Sequence, residues 1–87
     1  MAKYRIFVKA SAAKEIEKIR TKRDRRRIVK KIRSLSDNPR PRGSVKLSGK
    51  DKYRLRQGNY RIIYSIEDDK LIVHIVKVGH RKDVYRN

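Results

Sequence analysis

Three features of this sequence predict an α+β fold in which a strand is followed by two helices and then an antiparallel meander. The first is alternation of apolar and basic residues within the run from Tyr53 to Tyr64, on either side of Gly58-Asn59, a two-residue hairpin signal. The second is a pair of apolar stripes at helical spacing between Ala12 and Leu35. The third is a short alternating run at residues 2–8, where Tyr4, Ile6 and Val8 share one face.

Taken in order, residues 2–8 read as the first strand. Ser11 is the expected N-cap of a first helix running to about Arg20, with Ala12, Ile16 and Ile19 inward. Thr21-Lys-Arg-Asp24 fits a capping box for a second helix, whose stripe is Ile28, Ile32 and Leu35 and which ends near Asp37-Asn38-Pro39. Residues 39–43 form a loop, and Val45-Lys46-Leu47 leads through Ser48-Gly49 into the strand at Tyr53. If Gly58-Asn59 makes the turn, Gln57 faces Tyr60, Arg56 faces Arg61, Leu55 faces Ile62 and Tyr53 faces Tyr64. A second hairpin closed by Glu67-Asp68-Asp69-Lys70 sets Ile66 opposite Leu71, Tyr64 opposite Val73, Ile62 opposite Ile75 and Arg61 opposite Val76. The chain then turns at Gly79. No repeat or long linker divides it, so residues 1–87 are expected to form one domain.

This register sorts side chains onto two faces. The helices cover the face carrying Tyr53, Leu55, Ile62 and Tyr64. The opposite, basic face is expected to be open, with Arg54, Arg56, Arg61 and His74 diluted by Ile63, Ile72 and Val76. His74, between apolar neighbours, reads as a structural imidazole, and Tyr60 and Tyr64 read as core. Arg56 and Arg61 fall directly opposite each other. Like charges so placed repel, and a fold does not need them there, so the pair points to a polyanion. His80, Arg81 and Tyr85 arrive at the same end.

Composition agrees. Twenty-seven basic residues against nine acidic ones give a net charge of +18, which calls for a polyanionic partner. Residues 14–33 hold eleven bases against Glu15, Glu17 and Asp24, so the helical layer is a second basic surface suited to nucleic-acid phosphates. The absence of cysteine removes disulfides, thiol chemistry and Cys-based zinc sites, and two histidines without an acidic cluster argue against any metal. No cofactor is expected. No apolar run approaches a membrane-spanning length and no signal-peptide core is present, so a cytoplasmic protein with no membrane partner is expected.

The run Tyr53-Arg-x-Arg-x-Gly-x-Tyr-Arg-x-x-Tyr64, the closing Gly79-His-Arg-Lys-Asp-Val-Tyr85, Lys46-Leu47-x-Gly49 and the order of elements resemble the RelE/ParE superfamily of bacterial and archaeal toxins. The resemblance spans nearly the whole chain. RelE-type members are ribosome-dependent endonucleases that cut mRNA in the decoding site, whereas ParE-type members inhibit DNA gyrase. Both are neutralised by an antitoxin.

Position by position, the match implies the RelE-type activity. Arg54 and Arg56 stand at the two basic positions of the second strand, Arg61 at the start of the third, Arg81 after the fourth, and Tyr85 near the C-terminus. The second-strand positions are often lysine in the best-known members. Arginine there grips a phosphate bidentately but does not act as a general base. The resemblance therefore implies catalytic roles for Arg56, Arg61, Arg81 and Tyr85, with RNA contacts from Arg54, Lys46 and His80 and no metal. It implies three partners: an acidic antitoxin, the ribosome with its 16S rRNA, and mRNA. Two other classes stay open on the residues, a gyrase inhibitor and a non-catalytic RNA- or ribosome-binding protein.

Overall fold

The computed structural model describes residues 3–47 and 51–80. Among these, the elements are β1 (Arg5–Val8), α1 (Ala10–Glu17), α2 (Lys22–Ser34), β2 (Val45–Lys46), β3 (Lys52–Gln57), β4 (Tyr60–Glu67) and β5 (Ile72–His80). The five strands form one sheet in the order β1-β5-β4-β3-β2. β3, β4 and β5 make the antiparallel meander, and β1 pairs parallel with β5. β2, expected only as a lead-in, is a two-residue strand that pairs antiparallel with β3.

The helices form for the expected reasons, with shifted ends. Thr21 Oγ1 accepts a hydrogen bond from the Asp24 amide at 3.1 Å, so the predicted cap of α2 is present. The regular helix stops at Ser34, and the chain goes on in a tighter turn, with the Leu35, Ser36 and Asp37 amides bonding three residues back, so the helical path runs out just before Pro39. Ser11 does not cap α1. It lies inside the helix, whose N-cap is Lys9, without a side-chain cap, and whose last residue is Glu17 rather than Arg20. The start is set by tertiary structure: the Lys9 amide still bonds the Ile75 carbonyl, at 3.0 Å, so β1 delivers the chain straight into α1.

The core lies between the helices and one sheet face. Ala12, Ile19, Ile28, Ile32 and Leu35 from the helical side meet Leu55, Ile62, Tyr64, Val73, Ile75 and Val78. Each fully buried Val, Leu or Ile side chain contributes about 1.5–3 kcal/mol of transfer free energy. Tyr64 is buried and pushed above its ordinary pKa by desolvation. Its hydroxyl donates to the Pro39 carbonyl at 2.8 Å, tying the loop after α2 to the sheet. Its ring stacks on Tyr53 at 5.7 Å.

The first hairpin has the predicted register: Gln57–Tyr60, Arg56–Arg61, Leu55–Ile62 and Tyr53–Tyr64 are opposed, with Gly58 at φ +60. The second does not. Glu67 faces Ile72, Ile66 faces Val73 and Tyr64 faces Ile75. That is a shift of two residues, which leaves each side chain on its expected face. The cause is the turn: Leu71 adopts φ +55, a left-handed residue that no glycine announces. Glu67 and Lys70 still meet, at 3.7 Å, but as neighbours around the turn.

A further slip follows. Tyr64 pairs with Ile75 but Ile63 pairs with Lys77, so Val76 is an extra residue and β5 carries a bulge. Without it, Lys77 would point into the core in line with Val73 and Ile75. With it, Val78 takes that place and is buried. Arg61 consequently faces Gly79, not Val76, and Tyr60 faces His80. The chain does not turn at Gly79, since β5 runs on through His80.

A candidate active site at the hairpin end of the sheet

The site is built by the first hairpin and the end of β5. The turn at Gly58-Asn59 sets Arg56 and Arg61 side by side across β3 and β4. The bulge then brings Gly79 beside Arg61 and His80 beside Tyr60. The Tyr60 and His80 rings meet edge to face, 5.7 Å apart. Arg56 and Arg61 thus share one sheet face, with Gly79 beside them, whereas Tyr60 and His80, one row on, lie on the face that the helices cover.

The two arginines differ in setting. Arg56 is exposed, whereas Arg61 retains only 4% of its surface. Ile63, also expected on the open face, is 8% exposed. The second face is therefore open at its flanks and closed along the centre of β4, which has neighbours on both sides. An enclosed guanidinium sits in a medium of low effective permittivity, where its field on a nearby phosphate is stronger than in water.

Arg54 lies one paired row away, opposite Ile63, and is half-buried. Lys46 is exposed on β2 opposite Tyr53, towards the far edge of the sheet, and is not brought to the cluster. Arg81 and Tyr85 lie outside the described residues. His74 is structural in its contacts: it bonds Glu67 Oε1 at 2.9 Å and stacks on Phe7 at 5.9 Å.

Two concavities border the cluster. One, of about 220 Å³, is lined by Tyr60, Gly79 and His80 together with Glu15, Lys18 and Lys77. The other, of about 340 Å³, lies where Arg27, Lys30 and Lys31 of α2 approach Gln57, next to Arg56. The basic helix surface thus reaches the first hairpin through Gln57, on the face opposite the arginine pair. Sequence reading missed Glu15 and the Tyr60–His80 contact, though Tyr60 packs against the core as expected. The signal for both was Lys77: keeping it out of the core requires the bulge, and the bulge aligns Tyr60 with His80.

This arrangement can bind a phosphodiester, stabilise charge developing on it and stack on an unpaired base. Among the described residues, no helix is long and apolar enough to cross a membrane.

Comparison with known proteins gives the class. Residues 6–85 match the family model described as the ParE toxin of the type II toxin–antitoxin system parDE, and the chain belongs to this family of toxins. Within the wider RelE/ParE superfamily it falls in the RelE-like branch. It is 36% identical over 88 residues to a RelE-like toxin protein of Escherichia coli, covering 95% of this chain and 90% of that one. It is 33% identical over 61 residues to the mRNA interferase toxin RelE of Escherichia coli K12, covering 67% and 63% of the two chains. Its fold is similar to that of a chain in the RelBE2 toxin–antitoxin complex of Mycobacterium tuberculosis, with a TM-score of 0.81, 27% identity and coverage of 93% and 94%.

Proposed function

We propose that this toxin is a ribosome-dependent endoribonuclease that cuts mRNA without a metal, acts in the cytoplasm, and is held in check by an acidic antitoxin. The observation that carries this reading is the direct opposition of Arg56 and Arg61 across β3 and β4. The similarity to an mRNA interferase supports the activity, and the similarity to a chain crystallised in a toxin–antitoxin complex supports the antitoxin.

RNA carries its own nucleophile, the 2′-hydroxyl. The enzyme aligns that oxygen with the neighbouring phosphorus, stabilises charge on the phosphoryl oxygens and assists proton transfer. The products are a 2′,3′-cyclic phosphate and a 5′-hydroxyl. Arg61 and Arg81 stabilise the phosphorane-like charge. Arg56 and Arg54 orient the phosphates, and Tyr85 stacks on a splayed base. His80 is the candidate proton acceptor, because a neutral imidazole nitrogen can accept a proton and a guanidinium cannot. Arg27, Lys30 and Lys31, with Lys46 on the far edge, contact ribosomal RNA phosphates. Residues 1–87 act as one domain.

The cluster offers no strong acid–base pair among the described residues, so alignment supplies much of the rate and the ribosome supplies the alignment. The test is purified protein added to an in vitro translation reaction, with mapping of mRNA ends. Cleavage on translating ribosomes and little on naked RNA is the expected result. Rapid cutting of naked RNA contradicts ribosome dependence. Intact mRNA with inhibited DNA supercoiling selects gyrase inhibition instead.

A further inference from the structure

The seam between β1 and β5 is short. It covers Arg5–Val8 against Ile72–Ile75 and ends at the bond from the Lys9 amide to the Ile75 carbonyl. Beyond Ile75, β4 is the ladder neighbour of β5 among the described residues. The outer edge of β5 therefore presents backbone groups that need other partners. This stretch holds the bulge and delivers Gly79 and His80 to the site.

One side chain meets that need. Glu15 projects from α1, which packs along β5. Its Oε1 accepts the Val78 amide at 3.0 Å and its Oε2 accepts Lys77 Nζ at 3.1 Å. The two oxygens hold two consecutive residues immediately after the extra residue Val76. A slip that erased the bulge would shift the pairing by one and send Lys77 towards the core and Val78 out of it. It would also place Val78, not Gly79, across from Arg61. A carboxylate beside a phosphate site opposes anion binding, and engaging both oxygens offsets that cost.

We infer that Glu15 is a positioning residue that pins the bulged register of β5 and so holds Gly79 opposite Arg61 and His80 against Tyr60. It does not touch the reacting atoms. Its effect on cleavage rests on the proposed function, while the pinning stands independently of it.

The experiment compares the parent with Glu15→Ala, Glu15→Gln and Lys77→Met in two ways. NMR measures Val78 amide exchange and the Tyr60–His80 ring contact, and ribosome-bound mRNA cleavage gives kcat and KM. In Glu15→Ala, Val78 exchange accelerates at least about tenfold, the ring contact weakens, and kcat falls by about tenfold with little change in KM. Glu15→Gln keeps an oxygen for Val78 and returns exchange and kcat to within about threefold of the parent, with an unaltered pH profile. Lys77→Met leaves the Val78 bond in place and keeps parent-like protection. It decides the matter if Glu15→Ala does not fold.

Parent-like exchange and ring contact in Glu15→Ala overturn the inference, as does loss of Val78 protection in Lys77→Met. Glu15→Gln that is protected but as slow as Glu15→Ala also overturns it, because the carboxylate then acts in the chemistry itself. If the parent does not cut mRNA, the proposed function fails and the exchange and ring-contact results alone decide this one.

Discussion

The two ends of the sheet handle arginine in opposite ways. At the end formed by the second hairpin, Arg40 binds Asp68 through two bonds, at 3.0 and 2.8 Å, and donates to the Tyr53 hydroxyl at 3.0 Å. Tyr4 adds a hydroxyl bond to Asp68 at 2.7 Å. Hydrogen bonding from Arg40, then from Tyr4, holds the Asp68 carboxyl down at about 2, and the same network raises Arg40 and Tyr4 above their ordinary values. At the other end, Arg56 faces Arg61. A cation matched by a carboxylate is part of the fold. A cation placed opposite another cation costs the fold Coulomb energy and suits a polyanionic ligand.

The largest expected effect comes from the end that holds the arginine pair. Arg56→Ala and Arg61→Ala should each lower the rate of ribosome-bound mRNA cleavage by about 10²–10³-fold, the scale of losing one preorganised charge-stabilising donor. Arg61→Lys separates charge from geometry, since it keeps the cation and loses the planar fork. Its kcat should lie between those of the parent and Arg61→Ala, and equality with the parent would mean that charge alone suffices.

The neutralised end should respond in stability instead. Arg40→Ala removes three hydrogen bonds from a largely exposed network. About 1 kcal/mol is expected, seen as a melting temperature lower by about 4–8 °C, with the cleavage rate within about twofold of the parent. Loss of activity without loss of stability would dissolve the contrast between the two ends.

Acid sharpens it further. Because the folded-state pKa of Asp68 is lowered from 3.8 to about 2, its contribution is present above the unfolded value and is lost as pH falls from about 4 towards 2. Asp68→Asn should flatten the acid limb of a melting-temperature profile in that window. An unchanged limb would show that the carboxylate is not coupled to folding. The mildest test concerns salt. Association with an acidic antitoxin should slow as ionic strength rises, because steering by a chain of charge +18 is screened. A salt-independent association rate in stopped-flow would count against charge complementarity.

Much of this was legible in the residues. Gly58-Asn59 and the alternation around it determine the first hairpin, and with it the arginine pair, because a two-residue turn leaves one register. Thr21 and Asp24 mark the start of α2 for an equally local reason. The second hairpin was not legible, because Leu71 takes a left-handed conformation sustained by tertiary contacts: the Arg5 amide bonds its carbonyl at 2.8 Å, and Asp68 is clasped by Tyr4, just before β1, and by Arg40, in the loop after α2. The parallel placement of β1 against β5 was likewise hidden, since an alternating strand does not name its neighbour. The bulge had a cue in Lys77, which breaks the spacing of Val73, Ile75 and Val78, but only a known register gives that cue meaning.

The central claim is that the arginine pair belongs to a centre that cuts mRNA on the ribosome. The most direct test is mapping mRNA 5′ ends in a reconstituted translation reaction, with the parent and the Arg56→Ala/Arg61→Ala double variant. The account predicts new 5′-hydroxyl ends within the decoding site for the parent, only while ribosomes translate, and none for a double variant that remains folded. Intact mRNA with the parent, or equal cleavage by the folded double variant, would contradict it.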